Sequence, residues 1–243
     1  MVKLDPTASD DADQIIYGNY ILKRGAAINS LYGLKAIGIF RTQDEVTKAP
    51  TQFGNYGLGD IIFEDINKDG IIDDKDRTVI GQENPSWLYG ASLNLGYAGF
   101  DLSAILQGVG DFQSYGNLEF YNPFSNNAGL GAQWLDRWTP QNPNSNWPRL
   151  FLSNGPNVDR TNSYWVQNRA FMRLKNVQFG YQFSESVLKR LKIEKLRLYV
   201  NGQNLFTKTN FQGFDPERLG GFVGGGSSYP VLRIITAGLN VTF

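Results

Sequence analysis

The sequence predicts an all-β chain made of strands and loops from a transmembrane antiparallel β-barrel, present here as an incomplete fragment. Three observations lead there. From Trp87 onward, apolar and polar residues alternate with period two, the mark of strands with one apolar and one polar face. The alternating segments run to about 9–13 residues, against roughly 5–6 in soluble strands and the roughly 9–11 that cross a bilayer at a tilt. Their polar faces are rich in glycine, asparagine and glutamine, poor strand formers that a water-lined interior tolerates.

Five strands are expected, at about 87–97, 99–109, 171–183, 195–206 and 231–243. In the first, Trp87, Tyr89, Ala91, Leu93, Leu95 and Tyr97 oppose Leu88, Gly90, Ser92, Asn94 and Gly96. Ala98-Gly99 suits a tight hairpin turn into the second, where Phe100, Leu102, Ala104 and Leu106 alternate with Asp101, Ser103 and Gln107, Ile105 being the exception. The third sets Val177, Phe179, Tyr181 and Phe183 against Asn176, Gln178, Gly180 and Gln182. The fourth sets Leu196, Leu198 and Val200 against Arg197, Tyr199, Asn201 and Gln203. In the last, Ile235, Ala237, Leu239, Val241 and Phe243 oppose Thr236, Gly238, Asn240 and Thr242. Aromatic residues at segment ends (Trp87, Tyr97, Phe100, Phe183, Phe206, Phe243) would sit at the two membrane interfaces. An ordinary antiparallel sandwich with one wet face is the competing reading of the same pattern.

The connections alternate in length: a two-residue turn, about 60 residues over 110–170, a short amphipathic link over 184–194, and about 24 residues over 207–230. Outer-membrane barrels pair short periplasmic turns with long extracellular loops. Both long stretches, and the region 1–86 before the first strand, therefore fall on the outside, with 87–243 forming the strands and their loops.

Composition removes several chemistries. The 243 residues include no histidine and no cysteine, so there is no Ser-His-Asp or Cys-His relay, no His/Cys zinc or haem site and no disulfide framework. With 23 basic against 23 acidic residues, nothing favours nucleic acid as a partner. No run of 18 apolar residues occurs, which excludes a membrane-crossing helix but not a crossing strand. The N-terminus turns acidic within its first residues and is short of an apolar h-region, so it does not read as a signal peptide.

The strongest local motif is Asp65-Ile66-Asn67-Lys68-Asp69-Gly70-Ile71-Ile72-Asp73-Asp74-Lys75-Asp76. It has calcium-loop spacing: Asp65, Asn67, Asp69 and Asp73 at positions 1, 3, 5 and 9, Gly70 at the sharp turn, the Ile71 carbonyl at 7 and Asp76 at 12. Position 12 departs from the usual bidentate glutamate, and no helix is evident on either side. A solvated Asp/Asn/Gly turn without metal is the bland alternative. If Ca2+ binds, it neutralises five carboxylates, counting Asp74, and stiffens an external loop.

Trp134, Trp138, Trp147 and Trp165 lie in the long stretch 110–170. Their faces suit stacking on a ligand or anchoring a partner, and equally suit packing that stretch on itself. The glycine-rich run 220–226 lacks the setting of a phosphate loop, and the pair Asp73 and Asp74 has no spacing that argues for glycoside hydrolysis. The ending of the chain, with Thr236, Gly238, Val241 and Phe243 in a polar-x-Gly-x-x-apolar-x-aromatic pattern, resembles the C-terminal signal by which outer-membrane barrels are recognised for assembly.

Taken together, the residues resemble the C-terminal part of SusC/RagA-type TonB-dependent outer-membrane transporters of Bacteroidetes. The likeness runs through 28–40, Gly59-Asp60-Ile61-Ile62-Phe63 with the acidic loop, and Asp76-Arg77-Thr78-Val79-Ile80-Gly81. It continues in Trp138-Thr139-Pro140, Leu174-Lys175-Asn176-Val177, Val200-Asn201-Gly202-Gln203-Asn204-Leu205-Phe206, Gly213-Phe214-Asp215-Pro216-Glu217 and the terminal 238–243. The resemblance implies a 22-stranded barrel with an N-terminal plug in its lumen, the plugged-transporter class. It also implies location in the bacterial outer membrane among its lipids, assembly by that membrane's machinery, and import of oligosaccharides or oligopeptides. The expected partners are a SusD-like surface lipoprotein and, through the plug that this chain lacks, TonB. No enzymatic activity is implied. A secreted β-sandwich adhesin or carbohydrate-binding module with a calcium-stabilised loop, and a carboxylate-dependent glycosidase, are the alternatives from other classes.

Overall fold

A computed structural model describes residues 14–116, 124, 129–152, 155–213, 215–217 and 230–243. The N-terminal stretch, the glycine-rich run and Phe214 lie outside the described residues. The strands are β1 (Gln14–Tyr17), β2 (Tyr20–Lys23), β3 (Ser30–Leu34), β4 (Ala36–Ile39), β5 (Ile61–Phe63) and β6 (Arg77–Gln82). Then come β7 (Trp87–Tyr97), β8 (Phe100–Gly110), β9 (Gln113–Tyr115), β10 (Val166–Asn168), β11 (Phe171–Gln182), β12 (Lys195–Thr209) and β13 (Ile234–Thr242). The contacts divide the chain into two compact units that do not follow sequence order. Of the described residues, one gathers those within 14–84 and 113–167, and the other gathers those within 85–112, 168–217 and 230–243.

The second unit is one antiparallel sheet in the order β13-β12-β11-β8-β7. Each long alternating segment became a strand because its apolar residues share a face only in extended chain. Ala98 and Gly99 both have positive φ, +50° and +86°, the pattern of a type I′ turn whose twist matches the strands it joins. β7 and β8 pair without interruption from Trp87 opposite Gly110 to Tyr97 opposite Phe100. Against β8, β11 carries a bulge between Leu174 and Asn176 at which Lys175 is the extra residue, whereas against β12 the extra residue lies on β12, between Gln203 and Phe206. Between β11 and β12 the chain forms a short helix, Glu185–Leu191, closed by Lys192 in the left-handed region.

The pairing puts Leu95, Leu102, Phe179, Leu198 and Leu239 on one face and Asn94, Ser103, Gln178, Asn201 and Asn240 on the other. Ile105 pairs with Ser92 and Asn176 on the polar side, as its exceptional position implied. The apolar face is open: Leu95 and Leu239 are each 56% exposed. A sandwich would cover it with a second sheet, and no such layer is present among the described residues of this unit.

The first unit holds a four-stranded sheet in the order β1-β2-β3-β6, the pair β4-β5 and the pair β9-β10. Its core is Leu34, Ile61, Phe63, Ile72, Trp134 and Trp165, with Ala36, Phe53, Tyr115, Trp147, Leu150, Val158 and Tyr164 packed against it. The described part of 113–167 thus buries Trp134 and Trp165 together with Leu34, Ile61, Phe63 and Ile72. Thr42 opens the short helix Gln43–Lys48 with a capping box to Glu45.

Candidate functional site

The acidic loop folds as one self-closing turn. Asp65 Oδ2 accepts from Gly70 N at 2.8 Å, Asn67 Oδ1 from Asp69 N at 3.0 Å, and Asp69 Oδ1 from Ile71 N at 3.0 Å. Gly70 has φ +84°, which a side chain rarely tolerates. A short parallel bridge ties the turn to Thr51, through Thr51 N to Gly70 O and Ile72 N to Thr51 O, both 2.9 Å. Asp76 is buried and spends both oxygens on backbone, accepting from Ile66 N at 2.8 Å, Asn67 N at 3.3 Å and Asp73 N at 2.9 Å. Burial pushes this carboxyl up, but the N–H groups of Asp73, Asn67 and Ile66 outweigh it and hold it below the usual carboxylate range.

Asp69 and Asp73 turn toward Lys75, whose Nζ lies 3.9 and 3.7 Å from them. Among the described residues no three acidic side chains converge as a metal site requires. Asp76, placed at ligand position 12 by spacing, serves instead to join the two ends of the turn. One acceptor in the turn remains unused: Asp65 Oδ1 is buried with no hydrogen-bond partner.

The tryptophans divide. Trp134 and Trp165 are 3% and 0% exposed, core residues with no free face for stacking. Contact with a ligand or partner does not fit them, because their rings are covered by each other and by Trp147, at centroid distances of 5.3–6.1 Å. Trp165 Nε1 donates to Asn157 O at 2.7 Å. Trp138 is half-buried, with its ring over Gly59: a Cβ there would lie 2.5 Å from the indole. Its Nε1 is buried without a partner.

Next to Gly59, Asp60 is fully buried and receives Arg149 in a fork, Nε to Oδ1 at 2.7 Å and Nη2 to Oδ2 at 2.6 Å. Gly57 N and Asn157 Nδ2 complete its shell. Burial pushes this carboxyl up, and Arg149 and the other donors pull it back only in part, so it sits above the ordinary range. A fork between a planar guanidinium and a carboxylate fixes orientation as well as charge.

A network that the sequence pattern did not bring together holds the segment 215–217 on β11. Arg173 gives Nη2 to Asp215 Oδ1 at 2.9 Å, Nη1 to Glu217 Oε2 at 2.5 Å and Nε to Thr207 Oγ1 at 2.8 Å. Lys175, the bulge residue, reaches both Glu217 oxygens at 2.6 and 2.7 Å. Arg169 donates to Pro216 O from Nε and Nη2 at 3.1 and 2.8 Å. Asp215 also accepts from Glu217 N and Val231 N, each at 2.9 Å. Burial pushes Asp215 up, yet the two backbone N–H groups and Arg173 hold it below the usual range. The signal for this network was available: Arg173 interrupts the apolar pattern at a strand start, and antiparallel pairing sets it opposite Thr207, shortly before the acidic pair.

In the terminal strand, Thr236 pairs with Asn201 and Gly238 with Tyr199 on the polar face. Val241 belongs to the apolar face, and Phe243, just past the strand, is 88% exposed.

No family model matches the chain. The chain is 33% identical over 235 residues to TonB-dependent receptor P3 of Formosa agariphila, an alignment covering 92% of this chain and 23% of that protein. Its match to receptor P26 of the same organism has 32% identity over 93% of this chain and 24% of that protein. A match to the TonB-dependent receptor SusC of Bacteroides thetaiotaomicron has 26% identity and covers 75% of this chain and 17% of that protein. The fold superposes on the RagAB peptide importer in its open-open state with a TM-score of 0.70 and 22% identity, covering 99% of this chain and 25% of that one.

The chain is a portion of a SusC/RagA-type TonB-dependent receptor. It spans about a quarter of the length of the curated relatives it matches. TonB-dependent receptors are transport proteins of the outer membrane rather than enzymes, and the receptor's two-faced strands are the part suited to lipid. A sheet with an open apolar face has a solvent that matches it there. Among the described residues its outermost strands, β7 and β13, each have one unpaired edge, and lipid cannot satisfy unpaired backbone groups.

Proposed function

We propose that the chain is the C-terminal wall and surface loops of an outer-membrane importer for oligosaccharides or oligopeptides, working with a SusD-like surface lipoprotein and driven through TonB. The observation that carries this reading is the five-strand meander with one lipid-suited and one water-suited face, in a chain whose relatives are TonB-dependent receptors. A RagAB peptide importer among the structural neighbours supports peptide as one cargo class and a second component working with the receptor. The first unit is the portion at the cell surface, in keeping with the alternation of short and long connections.

Within that unit, the loop 65–76 takes Ca2+ through hard oxygen donors, with Asp65, Asn67, Asp69, Asp73 and the Ile71 carbonyl as ligands. The buried, unpartnered Asp65 Oδ1 supports the assignment. Binding requires Asp69 and Asp73 to leave Lys75 and turn inward. Thr236, Gly238, Val241 and Phe243 serve assembly into the outer membrane.

The test is uptake. Deleting the receptor gene in its host should abolish growth on, and uptake of, members of one class in a panel of oligosaccharides and oligopeptides. A lipoprotein should also copurify with the receptor from detergent-solubilised outer membranes. Unchanged uptake across the panel would overturn the importer reading.

A further inference from the structure

Glycine in a strand weakens it, so a glycine held at the centre of a terminal strand calls for a reason. At Gly238 the reason is steric. It stands directly opposite Tyr199 in the β12–β13 register, and a Cβ there would lie 2.3 Å from Tyr199 Cζ, 2.4 Å from its Oη and 2.6 Å from Cε1. The tyrosine ring therefore lies across its cross-strand neighbour and occupies the space that a side chain would fill. The same arrangement occurs at the other end of the sheet, where Tyr89 pairs with Gly108 and a Cβ would come within 2.0 Å of the ring.

On the polar face the Tyr199 ring is one link of a chain across four strands. Arg197 sits with its guanidinium carbon 5.3 Å from the Tyr199 centroid and reaches over β11 to Asp101 on β8, with Nε to Oδ1 at 3.0 Å and Nη2 to Oδ2 at 2.5 Å. That reach crosses Gly180, where a Cβ would meet Asp101 at 2.5 Å and Arg197 at 2.6 Å. Two glycines thus leave room for a cross-strand belt running Asp101, Arg197, Tyr199, Gly238. A slip of one residue in β13 would put a side chain under the ring and turn the apolar residues of β13 to the wrong face.

We propose that the Tyr199 ring seated on Gly238 is the lock that sets the register of the terminal strand, so that Gly238 acts in folding of the sheet itself and not solely as a mark read by assembly factors. This rests on the outer-membrane reading of the sheet and on the proposed assembly role of the terminal residues.

The experiment is refolding of the intact receptor that contains these strands into phosphatidylcholine vesicles, with no assembly machinery, scored by the folded form that migrates fast on gels before heating. Gly238→Ala should lose most of that form. Tyr199→Ala combined with Gly238→Ala should recover to the level of Tyr199→Ala alone, which isolates the pair from any cost of removing the ring. Gly96→Ala is the control, since a Cβ there meets nothing closer than 3.8 Å, and it should refold as the unaltered receptor does. Normal refolding of Gly238→Ala in vesicles, with a defect confined to cells, would overturn the lock and leave recognition alone. So would a double variant no better than Gly238→Ala. An unaltered receptor that never reaches the folded form in vesicles would overturn the membrane reading and this inference with it.

Discussion

Arg173 Nη2 lies 2.9 Å from Asp215 Oδ1, and each side chain is only 4% exposed. Asp215 also takes the N–H groups of Glu217 and Val231, so one carboxylate gathers onto β11 a segment inside the last long connection and the residue just after it. Removing one partner of a buried pair leaves the other uncompensated, at a cost of about 3–5 kcal/mol. Arg173 keeps Glu217 and Thr207 in Asp215→Ala, which places this variant at the lower end of that range. The detergent-solubilised receptor should unfold at a lower temperature in Asp215→Ala, with Asp215→Asn intermediate because it keeps an acceptor.

The same carboxyl sets an acid limit. Its folded value is held below that of an unfolded aspartate, so its contribution is complete above the ordinary value of about 3.9 and is lost as pH falls through the lower folded value. Thermal unfolding of the receptor should therefore lose this stabilisation only below about pH 4, and Asp215→Ala should show a shallower acid decline than the unaltered protein. Equal acid slopes for the two would contradict the assignment.

Gly59 combines φ +84° with the Trp138 ring 2.5 Å from where a Cβ would sit. Gly59→Ala must displace the indole and pull Asp60 from the Arg149 fork. The expected loss is about 2–4 kcal/mol, since backbone strain and a disturbed buried ion pair add. Limited proteolysis should cut the 113–167 segment faster in this variant, whereas Gly57→Ala, with nothing within 4 Å, should leave the rate unchanged.

Calcium titration followed by intrinsic tryptophan fluorescence tests the acidic loop. The loop is bridged to Arg160 through Asp74, and Ile72 of the loop packs in the core with Trp134 and Trp165, so ordering the loop should register in their emission. Asp65→Asn should weaken binding at least tenfold, because it neutralises the carboxylate whose buried Oδ1 has no hydrogen-bond donor. Asp74→Asn, outside the ligand positions, should bind as the unaltered protein does. No calcium response in the unaltered protein would leave a self-bonded turn.

The five long strands were legible because nine or more residues of alternation outlast chance, and their observed ends differ from expectation by at most three residues. β12 runs on to Thr209 because Phe171 pairs with it, and β13 starts at Ile234 because Val231 is turned aside to Asp215. The strands before Trp87 were not legible: β1 to β6 hold three to six residues each, too few to show a period. Nor could the sequence show that 113–167 shares a core with residues before Pro85, since the gathering of Trp134 and Trp165 into one cluster with Leu34, Ile61 and Phe63 is a long-range fact. The terminal Gly238 was legible as part of a pattern, while its reason, the ring of Tyr199, came only with the register.

The most direct measurement of the membrane assignment uses the absence of cysteine from this chain. Single cysteines placed from Leu93 to Gly96 and at Thr236, Ala237, Leu239 and Asn240, leaving Gly238 unaltered under the Tyr199 ring, in the receptor reconstituted in vesicles with any other cysteines replaced by serine, can carry a nitroxide label. Accessibility to lipid-soluble oxygen should alternate residue by residue, high at Leu93, Leu95, Ala237 and Leu239, and low at Asn94, Gly96, Thr236 and Asn240, with a water-soluble nickel relaxer showing the opposite phase. Uniform water accessibility along both strands, or oxygen contact in the reverse phase, would contradict a sheet whose Leu95 and Leu239 face lipid.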